Sequence, residues 1–227
     1  VTITTASATA DIVDDEFVDA VLSVTTDGDE TGPVDIVYTV TLSDVNNTGS
    51  AITFDFADLL TGSATSGLDY TAVAGGSQIS VANGASTGTI SVDVLDDGFL
   101  ESTETVVGMI SGASNTAVTI TTASATADIV DDEFVDADLS VTTDGAETGP
   151  VDIVYTVTLS NVNNTGSAIT FDFADLLTSS ATSGLDYTAV AGGSEISVAN
   201  GASTGTISVD VLDDGLLEST ETVVGMI

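Results

Sequence analysis

The chain has 227 residues, a formal net charge of −36 and no Lys, Arg, His, Cys or Trp. Disulfides and Lys–Asn cross-links are therefore excluded, and its 36 carboxylates have no basic side chain with which to form a salt bridge. Nucleophile–base pairs and phosphate clamps cannot be assembled from this set, so an enzyme is not expected, and so acidic a surface repels nucleic acid and anionic membranes.

Strand signals follow one another along the chain. A strand fits Ala20–Thr25, followed by the turn pair Asp27-Gly28. From Val34 to Leu42 the even positions are apolar and most odd ones polar, giving one buried and one wet face. Ile52, Phe54 and Phe56 repeat the alternation after the turn Asn46-Asn47-Thr48-Gly49. Ser77–Val81 follows Gly75-Gly76, and Ile90, Val92 and Val94 follow Asn83-Gly84. Further strands fit Thr103–Ile110 and Val118–Ile129. Asp35, Asp55 and Asp93 fall on wet faces as solubility charges, whereas the four tyrosines are expected in or beside the core. Asn46-Asn47-Thr48 and Asn163-Asn164-Thr165 carry the N-glycosylation pattern on loops. No window has helical periodicity, and no run approaches the ~20 apolar residues of a membrane span.

The pattern then repeats. Val1–Ile110 aligns with Val118–Ile227 at a constant offset of 117, without a gap. The six differences are Val21/Asp138, Asp29/Ala146, Asp44/Asn161, Gly62/Ser179, Gln78/Glu195 and Phe99/Leu216. A period this long is a whole domain, and about 117 residues can bury roughly 65% of their unfolded surface. Seven or so short strands per period predict an all-β chain of tandem antiparallel β-sandwiches, immunoglobulin-like in architecture. Near-identity of the copies points to an array continuing beyond the chain, which reads as a segment or a processed product. Unpaired carboxylates ~4 Å apart repel by ~1 kcal/mol in water and ~4 kcal/mol at an effective dielectric near 20, so dissolved cations are expected to supply the missing positive charge.

Several runs together carry a family resemblance. Ser66-Gly67-Leu68-Asp69-Tyr70-Thr71-Ala72, the strand Ile90–Leu95, Asp96-Asp97-Gly98-Phe99-Leu100-Glu101-Ser102-Thr103-Glu104-Thr105 and Ile129-Val130-Asp131-Asp132-Glu133 resemble a Calx-beta repeat. Glu30-Thr31-Gly32 is similar to the family's E-G-x element, with Thr where Gly is usual. The resemblance implies calcium bound at one end of each sandwich. Carried over by motif, the implied ligands are Glu30, Asp69, Asp96, Asp97, Glu101, Glu104, Asp131, Asp132 and Glu133 in the first copy. In the second they are Glu147, Asp186, Asp213, Asp214, Glu218 and Glu221. Calcium takes six to eight oxygen ligands, and carboxylates are its strongest protein contributors.

In this register 1–16 is the closing strand of a preceding repeat or a donated strand, 17–133 is a complete sandwich, and 134–227 is a second sandwich without its closing strand. The resemblance, with the lysine-free composition, implies a calcium-dependent repeat that rigidifies an extracellular bacterial surface adhesin, filament or sheath. Two other readings stay open: a filament subunit joined by strand donation between chains, and a calcium-sensing regulatory module. Expected partners are neighbouring copies of the repeat, in the same chain or another, up to a homopolymer.

Overall fold

The computed structural model describes residues 1–13 and 15–227; Asp14, within the segment 1–16, lies outside the described residues. The chain divides into two compact units. The first comprises Val1–Gly28, Pro33–Leu95 and Thr105–Ile129, and the second Asp29–Gly32, Asp96–Glu104 and Val130–Ile227. No helix among the described residues is long and apolar enough to cross a membrane.

The first sandwich is built from β1 (Val18–Thr26), β2 (Gly28–Asp29), β3 (Ile36–Leu42), β4 (Ile52–Asp58), β5 (Gln78–Val81), β6 (Thr87–Val92), β7 (Glu104–Ser111), β8 (Val118–Thr122) and β9 (Ser124–Val130). One sheet runs β6-β3-β1-β8 and the other β2-β9-β7-β4-β5. Alternation sets the faces: Ile36, Tyr38, Val40 and Leu42 of β3 are buried, as are Ile52, Phe54 and Phe56 of β4. Each such side chain contributes about 1.5–3 kcal/mol by leaving water. The Tyr38 and Phe56 rings pack 5.1 Å apart, and the Tyr38 hydroxyl donates to the Val106 carbonyl at 2.8 Å, pinning one sheet to the other. The four tyrosines are buried, and Asp35, Asp55 and Asp93 are exposed, as the alternation predicts.

The fold departs from the sequence reading at Val118–Ile129. The predicted single strand Val118–Ile129 is two strands that break at Ala123 and lie in opposite sheets. Its first half, β8, runs parallel to β1, with Val18 opposite Val118 and Ala20 opposite Ile120, whereas the β1–β3, β3–β6, β4–β5 and β4–β7 pairs are antiparallel. The Ile110 amide donates to the Ala123 carbonyl at 2.7 Å, where the chain crosses between sheets. Residues 1–13 and 15–17 form no strand and are exposed, although Val1–Val13 is identical in sequence to Val118–Val130.

The second sandwich contains β10 (Ala137–Thr143), β11 (Ile153–Leu159), β12 (Ile169–Asp175), β13 (Ser194–Val198), β14 (Thr204–Val209) and β15 (Gly225–Met226). Its sheets run β10-β11-β14 and β13-β12-β15. Tyr155, Val157, Phe173 and Ile196 form its centre. Toward β10 the core thins: Leu139 is half-buried and Val141 is 47% exposed, whereas their counterparts Leu22 and Val24 are buried and half-buried.

Asn46 and Asn163 are structural. The Asn46 amide nitrogen donates to the carbonyls of Ser50 and Val81, both at 2.9 Å. Its oxygen accepts from the Thr48 amide at 3.1 Å and the Thr48 hydroxyl at 2.8 Å. Asn163 repeats the arrangement with Ser167, Val198 and Thr165 and is fully buried. A glycan needs a free amide nitrogen, so neither sequon is open to modification once folded. Asn46→Ala removes four hydrogen bonds and orphans the Val81 carbonyl, and should lower the first sandwich's stability by about 2–4 kcal/mol in denaturant titrations.

Candidate metal centre

The site is assembled by backbone pairing at one end of β9. A bulge at Val24–Thr26 interrupts the β1–β3 register just before the turn that leads to Glu30. At Gly28 a Cβ would lie 2.8 Å from Val94 Cγ2 and 3.1 Å from Ile129 Cγ1, so only glycine lets the chain run this close to β9. The Glu30 amide then donates to the Val130 carbonyl at 3.0 Å, which sets Glu30 beside Asp131-Asp132-Glu133 as the chain leaves β9.

Asp96–Glu104 joins the same compact unit as these two segments. Gly98 turns the loop with a φ of 78°, a left-handed conformation that favours glycine. Within that unit the Asn164 amide donates to the Leu100 carbonyl at 2.9 Å, the Ser102 hydroxyl to the Thr165 carbonyl at 3.2 Å, and the Asn161 side-chain amide to the Gly98 carbonyl. This gives the Asp44/Asn161 difference a physical reason: an amide can donate to Gly98, and a carboxylate would oppose it.

Carboxylate oxygens of Glu30, Asp131 and Glu133 lie within 4.8 Å of one another, and a second oxygen set joins Glu30 with Asp96 and Asp132. Glu30 is 2% exposed. Its Oε2, Asp131 Oδ1 and Glu133 Oε2 are all buried without a hydrogen-bond partner. Desolvation, reinforced by the charges of Asp131, Asp97, Glu133 and Glu101, raises Glu30 to about 8. Burial likewise raises Asp131 and Glu133, with Asp132 adding to both. Buried carboxylate oxygens without partners are costly, and three acids whose oxygens come this close together could hold a hard divalent cation.

The remaining expected ligands fall as follows. Asp69 is buried in the first unit, where its carboxylate accepts from the Thr65 amide and its carbonyl from the Leu95 amide at 2.9 Å. Asp97 caps its own turn, accepting from the Phe99 amide at 2.8 Å. Glu104 opens β7 and is half-buried. In the second copy Asp186, Asp214 and Glu218 bring oxygens within 4.8 Å of one another. Their first-copy equivalents by offset are Asp69, Asp97 and Glu101. Asp186 is hydrogen-bonded to Glu221, which that bond chiefly raises. Desolvation raises Glu218, with Asp214, Asp186 and Glu147 contributing. Asp213 accepts from the Gly215 amide at 3.2 Å. No residue of 134–227 repeats Asp131-Asp132-Glu133, and Glu147 is only half-buried where Glu30 is enclosed. Every carboxylate in these groups is one that the sequence motifs single out.

The family model of the Calx-beta domain matches residues 16–133 and 140–227. No curated protein matches the chain. Among solved structures it is similar to an apo-form Calx CBD1 domain, at 20% identity over 52% of this chain and 100% of that one, with a TM-score of 0.41. It is also similar to CBD12 from CALX1.2 (18% identity, 86% of this chain and 76% of that one, TM-score 0.40). A third is the calcium binding domain CBD12 of CALX1.1 (17% identity, 84% and 75%, TM-score 0.39). With both repeats matched by the family model, the chain belongs to the Calx-beta domain family.

Proposed function

We propose that this chain is a calcium-dependent structural repeat that stiffens an extracellular surface protein such as an adhesin, filament or sheath. The observation that carries the reading is the convergence of Glu30, Asp131 and Glu133, each with one buried carboxylate oxygen left without a hydrogen bond, in a chain without a single basic side chain. These residues fit calcium: all donors are hard oxygens, and acids from three separated segments, with Asp96 and Asp132 adjacent, suit its high and irregular coordination number better than magnesium's strict octahedron. Glu30, Asp96, Asp131, Asp132 and Glu133 would hold the ion, and Asp97 and Glu101 lie near enough to raise Glu30.

The mechanism is mechanical. An ion held by acids from the Asp29–Gly32, Asp96–Glu104 and Val130–Glu133 segments cross-links loops that otherwise repel one another. Ordering those loops reduces the freedom between consecutive repeats, and the repeated sequence extends the effect along an array. An extracellular setting suits such sites, because modules there work at calcium affinities of about 10⁻⁴–10⁻³ M and are filled at ambient calcium.

Calorimetric titration of the full chain with calcium should show saturable binding, far weaker with magnesium. X-ray scattering of the same samples should show less flexibility with calcium than with chelator. Absence of saturable binding sinks the calcium assignment; binding with unchanged flexibility sinks the stiffening role alone.

A further inference from the structure

The loop that carries Asp96 lies against a second loop, and the contact has a regular geometry. Gly98 and Leu100 are half-buried while Phe99 between them is exposed, so Gly98–Ser102 runs like a strand beside Asn161–Thr165 within the second compact unit. Leu100 and Asn163 form a parallel bridge. The bonds follow in steps of two along the first loop. The Gly98 carbonyl accepts from the Asn161 side chain, the Leu100 carbonyl from the Asn164 amide at 2.9 Å, and the Ser102 hydroxyl donates to the Thr165 carbonyl at 3.2 Å.

Donors for such a loop are scarce. Asp96–Glu104 carries four acids, and in a chain without Lys, Arg, His or Trp only Asn and Gln supply side-chain nitrogen donors. Asn161 is aimed by its own backbone: its oxygen accepts from the Val162 amide at 3.0 Å, which leaves its nitrogen facing Gly98. Buried Asn163 holds the receiving loop from beneath through the carbonyls of Ser167 and Val198, so the surface is formed in advance of the contact. Of residues 161–167, only the first differs from its counterpart in 44–50, where Asp44 stands. On the receiving side Asn164 and Thr165 use backbone atoms, which any residue offers, and Asn161 uses its side chain.

We propose that Asn161–Thr165 is a receiving surface for the Gly98–Ser102 loop of a preceding repeat, and that residue 161 sets its specificity: an amide admits the loop and a carboxylate refuses it. A carboxylate in that place has no proton to give the Gly98 carbonyl. It also adds a negative charge beside a loop that already carries four acids. Selectivity of this kind comes from the repulsive alternative as much as from the bond that is made. The choice between Asp and Asn at one position then decides which repeat can follow a given repeat, while the rest of the receiving loop stays the same.

The test is hydrogen exchange of single amides, followed by NMR on the full chain at one fixed calcium concentration. In the wild-type chain the Asn164 amide, which donates to Leu100, should exchange about 100-fold more slowly than an unstructured amide. Asn161→Ala should speed that exchange about tenfold, and Asn161→Asp should bring it back about 100-fold, to the unprotected rate. The Asn163 amide, bonded to the Ala202 carbonyl at 2.9 Å, should be unchanged in both variants, which separates a lost contact from a lost fold. If Asn161 serves only to cap its own turn, Asp keeps the bond to Val162 and Ala loses it. Asn161→Asp would then match wild type while Asn161→Ala exchanged fastest, and that reversed order overturns the proposal. A wild-type Asn164 amide that exchanges freely overturns it as well. All three chains are compared at the same calcium level, so the result stands apart from the calcium reading.

Discussion

In millimolar calcium the chain is expected to melt about 10–30 °C higher than in chelator. The magnitude follows from linkage: an ion that binds only the folded state adds about 1.4 kcal/mol at a concentration ten times its Kd. Two or three ions held by the Glu30–Asp131–Glu133 and Glu30–Asp96–Asp132 groups and their neighbours then add about 3–4 kcal/mol. For a domain of this size each kcal/mol moves the midpoint by roughly 4–8 °C. Relief of repulsion acts in the same direction, because the ion-free fold holds several acids close together with no basic side chain to offset them. The group of Asp186, Asp214 and Glu218 is exposed or half-buried and should add less to this shift. Scanning calorimetry across a calcium series reads the displacement directly. Superimposable scans in calcium and chelator are incompatible with the proposed centre.

Much of this architecture can be read in the residues. The alternation in Ile36–Leu42 and Ile52–Phe56 declares buried faces directly, because a strand has a period of two and each of these has one dry side. Gly76 and Gly84, in predicted turns, take positive φ of 84°. The break at Ala123 is not legible, because Thr, Ser and Ala continue the alternation while the chain crosses from one sheet to the other. Nor does the sequence say that Asn46 lies inside: Asn-Asn-Thr-Gly reads as a loop, and only the fold shows the loop closing around its first amide. At the metal centre the motifs single out the acids but not their inequality. Glu30 looks like one loop carboxylate among many. Its burial comes from the Gly28 approach to β9 and the bond to Val130, contacts between residues about 100 positions apart.

That inequality makes Glu30→Gln the most informative substitution. With an ordinary value of 4.5 raised to about 8 in the fold, Glu30 keeps its proton in the folded chain across a window where the unfolded chain has released it. The folded state then binds more protons, so ion-free stability falls as pH rises from 4.5 to about 8, and the whole penalty is present above that. Asp131 and Glu133 are raised too and act in the same direction. In chelator the wild-type chain should be more stable at pH 5 than at pH 9, and Glu30→Gln should flatten that slope and be the more stable protein at pH 9. Calcium reverses the order. Binding needs the carboxylate, so Glu30→Gln should weaken the tightest site about 10–100-fold, equivalent to losing one charged ligand of about 1.5–3 kcal/mol. It should also forfeit much of the thermal shift at pH 7.5. A residue buried merely for packing would tolerate the isosteric amide equally in both solutions, so the crossing of the two stability curves distinguishes a metal ligand from a core residue. Glu30→Gln that keeps the full calcium shift, or a wild-type chain that gains ion-free stability between pH 5 and 9, excludes Glu30 as the keystone of the site.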